Sequence, residues 1–440
     1  MRAVAPWRIP PPMESLQRVR AKSLADRQRC RLLLRVTLLA LAALNLCGCE
    51  RAEDSAAAPW SDVIEVRDAA VLPPQIHAQR IAVGLPNDRN PDLVLLPSGG
   101  LLLVMFQPVS KADGTYQENL ILYRSKDSGA SWGKREVLPL LGREPHFSVL
   151  RDGTLFLTAR LLATDYRNKE GYDHACVYRS TDGGDSWSAL PILTQDVPGA
   201  PPRSQTRISR NVLELQDGSL VMGVSAGSSI DYLWHSFDEG QSWNRSLAAQ
   251  VQGYDVSSHG RPWYGEMILF QARNAELLGI ARAPADAVAP FPDTQTPAVN
   301  DDTDRMVLFR SRDGGRTWTF AADIGDYYGE MHPSLLRLTD GRMLFTFSAR
   351  GARPPLGLQA VLGVERASGF SLNFATDRLI LDEAAPAGEA RGGGFGNTVR
   401  LPGGQLVTAY SYRGASSVTH VEVVRWVLPY YVTVADAWAH

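Results

Sequence analysis

Cysteine is scarce in this chain of 440 residues: four in all, three of them (Cys30, Cys47 and Cys49) crowded into the first fifty positions. Cys176 stands alone in the remainder and can close no intramolecular disulfide, and no Cys/His set has the spacing of a zinc site. Low-complexity tracts are also missing. Positive charge is in short supply once the N-terminus is set aside. Residues 1–48 hold nine Lys or Arg and two acids, a net +7, so the formal −2 of the whole chain becomes −9 for the rest. A surface that acidic argues against a nucleic-acid partner, and any anionic ligand needs a local basic pocket. Glycine and proline, in contrast, are plentiful at 38 and 28 residues, which suits many short strands joined by turns.

The N-terminus reads as a targeting segment. Arg27, Arg29, Arg31 and Arg35 lead into LLLRVTLLALAALNL, an apolar run too short and too early to be a spanning helix of a folded domain. Leu46-Cys47-Gly48-Cys49 resembles a bacterial lipobox. That resemblance implies a leader of residues 1–48, a lipidated Cys49 and a tether over 49–61. It further implies export to the periplasm or outer membrane as an anchored lipoprotein, with Glu50 in place of the aspartate linked with inner-membrane retention. The residues ahead of the basic cluster fit no targeting logic, and initiation at Met13 or beyond would account for them.

Two repeats organise the remainder. The octapeptides SKDSGASW, STDGGDSW, SFDEGQSW and SRDGGRTW begin at Ser125, Ser180, Ser236 and Ser311. In S-x-D-x-G-x-[ST]-W the Asp can bond nearby backbone N–H groups and the Gly can take φ > 0, so each copy reads as a rigid hairpin turn after a short apolar strand. A more regular pattern is an apolar run, a D-G-like turn and another apolar run. It recurs at 92–106, 146–160, 211–225, 267–282, 334–350 and 398–412, with turns 54 to 66 residues apart. Two hairpins make a four-stranded sheet, so one repeat is one blade. The prediction is an all-β fold, a six-bladed β-propeller of four-stranded antiparallel blades over residues 62–430, with a tail at 431–440. DVIEVRDAAVL (62–72) is expected to supply the missing fourth strand of blade 6 and close the ring.

In a propeller the innermost strand of each blade lines the channel and starts at one face. Polar residues eight to ten positions before each turn are therefore site candidates. Blade 1 offers Arg89 and Asn90; blade 2 Arg143, Glu144 and His146; blade 3 Arg207 and Arg210. Blade 4 offers Glu266, blade 5 Glu330 and His332, and blade 6 Gly394 and Phe395. Arg, Glu and His gathered at equivalent strand starts point to a shared polar basin.

Octapeptides of this form (Asp boxes, or BNR repeats) on six blades, with an arginine heading blade 1, resemble the sialidase (neuraminidase) superfamily from about Arg89 to Tyr412. The resemblance implies a glycosidase acting on an anionic sugar. Arg89, in Asp88-Arg89-Asn90-Pro91, matches the first arginine that holds the substrate carboxylate. Asp113, 24 residues after Arg89 and 12 before Ser125, takes the place of the acid/base aspartate. Glu266 and Arg282 match the glutamate and second arginine, and Arg350 or Arg353 the third. Where members carry a nucleophilic tyrosine, GGGFGNTVRLPGG has Phe395, with Tyr410 and Tyr412 farther along the blade. Without that hydroxyl, Asp113 as acid with Glu266 or Glu330 as base could activate water directly. His146 or His332 beside a glutamate could instead abstract a proton from a uronic sugar, as in a polysaccharide lyase. A pocket that only binds glycans and a protein-interaction platform are the non-enzymatic alternatives. No cofactor or metal is called for.

Overall fold

The structure is a computed structural model that describes residues 62–227, 230–246, 250–252, 266–283, 303–351, 355–366, 369–382, 395–413 and 418–429. The leader, Cys49 and the whole tether, the tail, Arg353 and Gly394 lie outside the described residues.

The first four repeats each fold into a sheet of their own, and the last two share one. Blade 1 is built from Arg89–Leu95, Leu101–Ser110, Tyr116–Ser125 and Glu136–Leu141 in that order. Blade 2 repeats the plan with Arg143–Val149, Leu155–Leu161, His174–Ser180 and Ser188–Ile192. In blade 3 the inner strand is split into Thr206–Ile208 and Leu213–Glu214, followed by Leu220–Ala226 and Ile230–Ser236. Among the described residues its outer edge is one bridge, His235 to Asn244. Blade 4 comprises Ile268–Gln271, Leu277–Ala283, Arg305–Ser311 and Thr317–Ile324, with Gln250–Gln252 added in parallel at its rim. Blade 5 has Glu330–Arg337, Arg342–Ala349 and Gly357–Arg366, with Gly369–Leu372 and Arg378–Ile380 sharing its outer edge. Blade 6 has Gly396–Arg400, Leu406–Arg413 and Thr419–Trp426.

An N-terminal strand closes the ring, but it is the one after the strand expected. Gln75–Val83 pairs with Thr419–Trp426, from Ala78 opposite Trp426 to Val83 opposite Val421. Val63–Arg67, the core of the 62–72 segment, instead joins Gln75–Val83 to Arg378–Ile380, so that blades 5 and 6 run on as one ten-stranded sheet. QIHAQRIAV hides its strand character because only alternate residues, such as Ile76 and Ala78, are buried.

The apolar core is a ring of six clusters rather than one centre, each filling the gap between consecutive blades. Second strands are therefore covered on both faces, and Leu101 to Phe106 is buried without a break. The octapeptides share one bonding scheme. In the first, Ser125 Oγ accepts the Gly129 N–H at 2.9 Å and donates to Asp127 at 2.8 Å, while Asp127 accepts the Ser131 N–H at 2.9 Å. The copies at Asp182, Asp238 and Asp313 repeat it. Two of these turns also tie blades together, because the third-strand residue before the Ser reaches the next blade. Arg124 donates to the carbonyls of Gly183 and Gly184, and Arg179 to that of Glu239. Arg425 of blade 6 donates to Ser128 of blade 1.

Clasps of a second kind circle the channel. Asp92 accepts the Phe147 N–H and Ser148 Oγ the Val212 N–H, each across a blade boundary. Asn211 and Asn397 each bond both backbone groups of one residue in the next blade, Leu269 and Leu93 respectively. Hydrogen bonds of this type join the inner strands of consecutive blades and hold the strand starts in register.

Candidate functional site

Three inner strands begin with the same irregularity. Arg89-Asn90-Pro91-Asp92, Arg143-Glu144-Pro145-His146 and Met331-His332-Pro333-Ser334 each carry a bulge against the second strand. Asn90, Glu144 and His332 take φ of 47°, 52° and 56° there. A residue before proline is ordinarily extended, and a side chain in the left-handed region costs about 1–2 kcal/mol. Bulges of this kind re-aim side chains, and strain of this kind collects at functional sites.

The strand starts and the ends of the second strands enclose a basin of about 470 Å³ to which every blade contributes. Arg89, Arg143, Arg160, Arg207, Arg282 and Arg350 line it beside three carboxylates, Glu144, Glu266 and Asp304, a formal excess of +3 in an acidic chain. Three of the arginines are held by acids. Arg282 donates to both oxygens of Glu266 at 2.9 and 3.2 Å and pairs with Asp304. Arg160 pairs with Asp173 at 2.6 Å, and Arg143 with Glu144 at 3.1 Å and buried Glu118 at 3.4 Å. Arg89 differs: its Nε is buried, and among the described residues its guanidinium has no hydrogen-bond or ion-pair partner. Burial and the neighbouring charge of Arg143 pull its pKa down.

The floor of the basin is a plug of four side chains. Arg210 donates Nε–H to His146 Nε2 at 2.8 Å, which fixes that imidazole as an acceptor. Phe395 packs against His332 with ring centroids 3.9 Å apart and the planes tilted by 34°, and Arg210 and Arg350 lie over the Phe395 ring at 5.9 and 6.0 Å. Burial, and then the Arg210 charge, hold both imidazoles well below their ordinary pKa. The four plug residues, with Glu144 and Glu266, line a chamber of about 50 Å³. A polar space of about 350 Å³ lies on the other side of His146 and Arg210, lined by Asp92, Ser148, Asn211, Ser334 and Asn397. Asp92 is fully buried there, and desolvation pushes its pKa up to about 7.

Of the residues nominated by sequence, the basin brings together Arg89, Arg143, Glu144, Glu266, Arg282, Arg350 and Phe395, with His146, Arg210 and His332 beneath. Glu330 is not among them. It precedes the bulge and turns into its own blade, where it pairs with Arg378 at 2.6 Å and accepts the N–H groups of Asp326 and Tyr327. Asp113 sits at the exposed tip of the hairpin between Leu101–Ser110 and Tyr116–Ser125, a plain Asp-Gly turn. Its carboxylate bonds the Thr115 hydroxyl at 2.7 Å and N–H at 2.9 Å, which lowers its pKa. Tyr410 and Tyr412 are packed between blades 5 and 6, and the Tyr410 hydroxyl is bonded to Glu422 and Arg80.

Glu118, Asp173 and Asp304, the acids that position the arginines, are not among the candidates the sequence offers. A signal existed for two of them: Asp173 and Asp304 each stand immediately before a third strand, opposite the arginine that ends the second. The thrice-repeated x-Pro at the strand heads was likewise legible and marks the bulges. Among the described residues no group of three or more His, Cys, Asp and Glu is gathered as a metal ion requires.

No family model matches the chain. Over 249 residues it is 26% identical to a sialidase of Micromonospora viridifaciens, a match covering 48% of this chain and 36% of that protein. To a sialidase of Vibrio cholerae it is 29% identical over 147 residues, 28% of this chain and 19% of the relative. The chain thus spans about a third of the first relative and a fifth of the second. Among solved structures it resembles a Dyadobacter fermentans protein of unknown function, with TM-score 0.58 and 18% identity over 80% of this chain and 98% of that one. The NanB sialidase of Streptococcus pneumoniae gives TM-score 0.56 and 13% identity over 79% and 70% of the two chains. At these identities the likeness is one of fold, and the fold is the β-propeller that sialidases share.

Proposed function

We propose that this protein is a sialidase-like exo-glycosidase that removes a terminal anionic sugar of the sialic acid type. The observation that carries the reading is the ring of six arginines, with Arg89 unpaired at its edge, on a chain that is otherwise acidic. A sugar carboxylate set against Arg89, Arg282 and Arg350 gains charge-assisted hydrogen bonds in a partly desolvated site. The plug of Arg210, His146, His332 and Phe395 closes the basin below, so a glycan enters by its end and not along its length. Water, rather than a side chain, is the nucleophile in this reading, because the phenyl ring of Phe395 has no oxygen to offer. No cofactor is invoked. Cleavage of the leader and lipidation of Cys49 would tether the propeller to a bacterial membrane on its outer side, and loss of lipid labelling in Cys49→Ser tests that part.

Phe395 favours one rival, a propeller that holds an anionic glycan and leaves it intact. A fluorogenic α-sialoside, assayed beside a neutral galactoside, separates the two. Turnover of the sialoside alone, reduced about 10–100-fold in kcat/KM by Arg89→Ala, is the expected result. Saturable binding with no turnover would leave the binder.

A further inference from the structure

The plug contains a pairing that carboxylate recognition does not use. His332 Nε2 lies 3.7 Å from Glu266 Oε2, and Glu266 is itself clamped by Arg282. The imidazole is 2% exposed and is held by a left-handed backbone ahead of Pro333. Its other nitrogen, Nδ1, is buried and finds no hydrogen-bond partner among the described residues. A buried ring nitrogen of that kind is ordinarily satisfied by a water, and the chamber of about 50 Å³ that His332 and Glu266 line is large enough to hold one. Glu144, Arg160, Arg207, Glu266 and Phe395 wall both this chamber and the basin, so the two share a boundary.

We propose that His332, oriented by Glu266, is the base that activates the attacking water. The proposal rests on the glycosidase reading of the basin. An Nε2–H turned toward the Glu266 carboxylate, 3.7 Å away, would leave the lone pair on Nδ1, the tautomer that a carboxylate partner selects. The water gives its proton to Nδ1 while its oxygen bonds to the anomeric carbon. The glycosidic C–O bond breaks with its electron pair on the leaving oxygen, which takes a proton from solvent at the open mouth. The imidazolium, stabilised by Glu266, returns its proton to solvent, and the sugar leaves with inverted configuration. Around His332 stand Glu266 and the cations Arg210, Arg282 and Arg350, with His146 neutral beside it. Burial and those arginines keep the imidazole unprotonated at neutral pH, so its lone pair is available.

The test uses the full chain as wild type and as His332→Asn, because asparagine tolerates positive φ better than most side chains. Binding of methyl α-sialoside is measured by calorimetry, turnover with a fluorogenic α-sialoside from pH 4 to 8, and the first-formed anomer by proton NMR. Expected are an inverted product and a wild-type rate that declines on the acid side through a pKa below the usual histidine value. His332→Asn should bind within about threefold of wild type and lose about 10²–10⁴ in kcat, with the acid limb gone from what remains. Retained configuration, a wild-type rate without an acid limb, or a kcat within threefold of wild type in His332→Asn would each overturn the proposal. The first two readings need no variant, so a misfolded His332→Asn leaves the test intact. A wild type that binds the sialoside without cleaving it removes the base and keeps the basin. One that neither binds nor cleaves it removes both.

Discussion

Arg89 and Asp92, three positions apart on one strand, answer to opposite demands. Arg89 pairs with nothing among the described residues, so Arg89→Ala should leave the melting temperature unchanged while weakening an anionic sugar, a separation that calorimetry of the free and ligand-bound protein reads directly. Asp92 is buried with a pKa of about 7, far above its ordinary 3.8. The folded chain therefore keeps a proton that the unfolded chain loses, and this group's contribution to stability falls as pH climbs from about 4 to about 7. Asp92→Asn can still accept the Phe147 N–H, so it should melt a few degrees above wild type at pH 8 and level with it at pH 4. At this scale the sequence was most informative where function repeats with the fold. The basin arginines stand at equivalent strand ends and could be counted. Glu330 was out of reach because the bulge at Met331–Pro333 decides which way a side chain points, and one residue of slip exchanges the two faces.

Elements were legible in proportion to how local their causes are. The octapeptide turn is made by bonds four residues apart or fewer, so its shape can be read from eight letters. What its glycine packs against cannot. A Cβ on Gly240, at φ 80°, would come within 2.3 Å of Phe156 in the neighbouring blade. Gly403, at φ 94°, has nothing within 4 Å. Gly240→Ala should therefore destabilise by about 2–4 kcal/mol and Gly403→Ala by only about 1–2, as measured by urea unfolding. Equal effects would show that the blade contact contributes nothing. The closing strand failed to register for a different reason. Gln75–Val83 is an outer strand with a wet face, its signal is a weak alternation, and its partner lies more than 330 residues away.

The whole molecule depends on that distant pairing. Without residues 62–84, the strand Thr419–Trp426 would present an open edge, and the Tyr410 hydroxyl and Leu381 carbonyl would lose Arg80. A chain shortened to begin at Leu85 should aggregate during size-exclusion chromatography; a monodisperse monomer would mean that the ring closes without it. Closure matters to the site because the basin draws on all six blades, so a ring that opens by one strand disperses its arginines. The function of the basin depends on what those arginines hold. The most direct measurement is calorimetric titration of the full chain with methyl α-sialoside and, separately, with the methyl ester of the same sugar. Binding about a hundredfold tighter for the free carboxylate is the expected result, close to 2.7 kcal/mol. Equal affinity for acid and ester would contradict it.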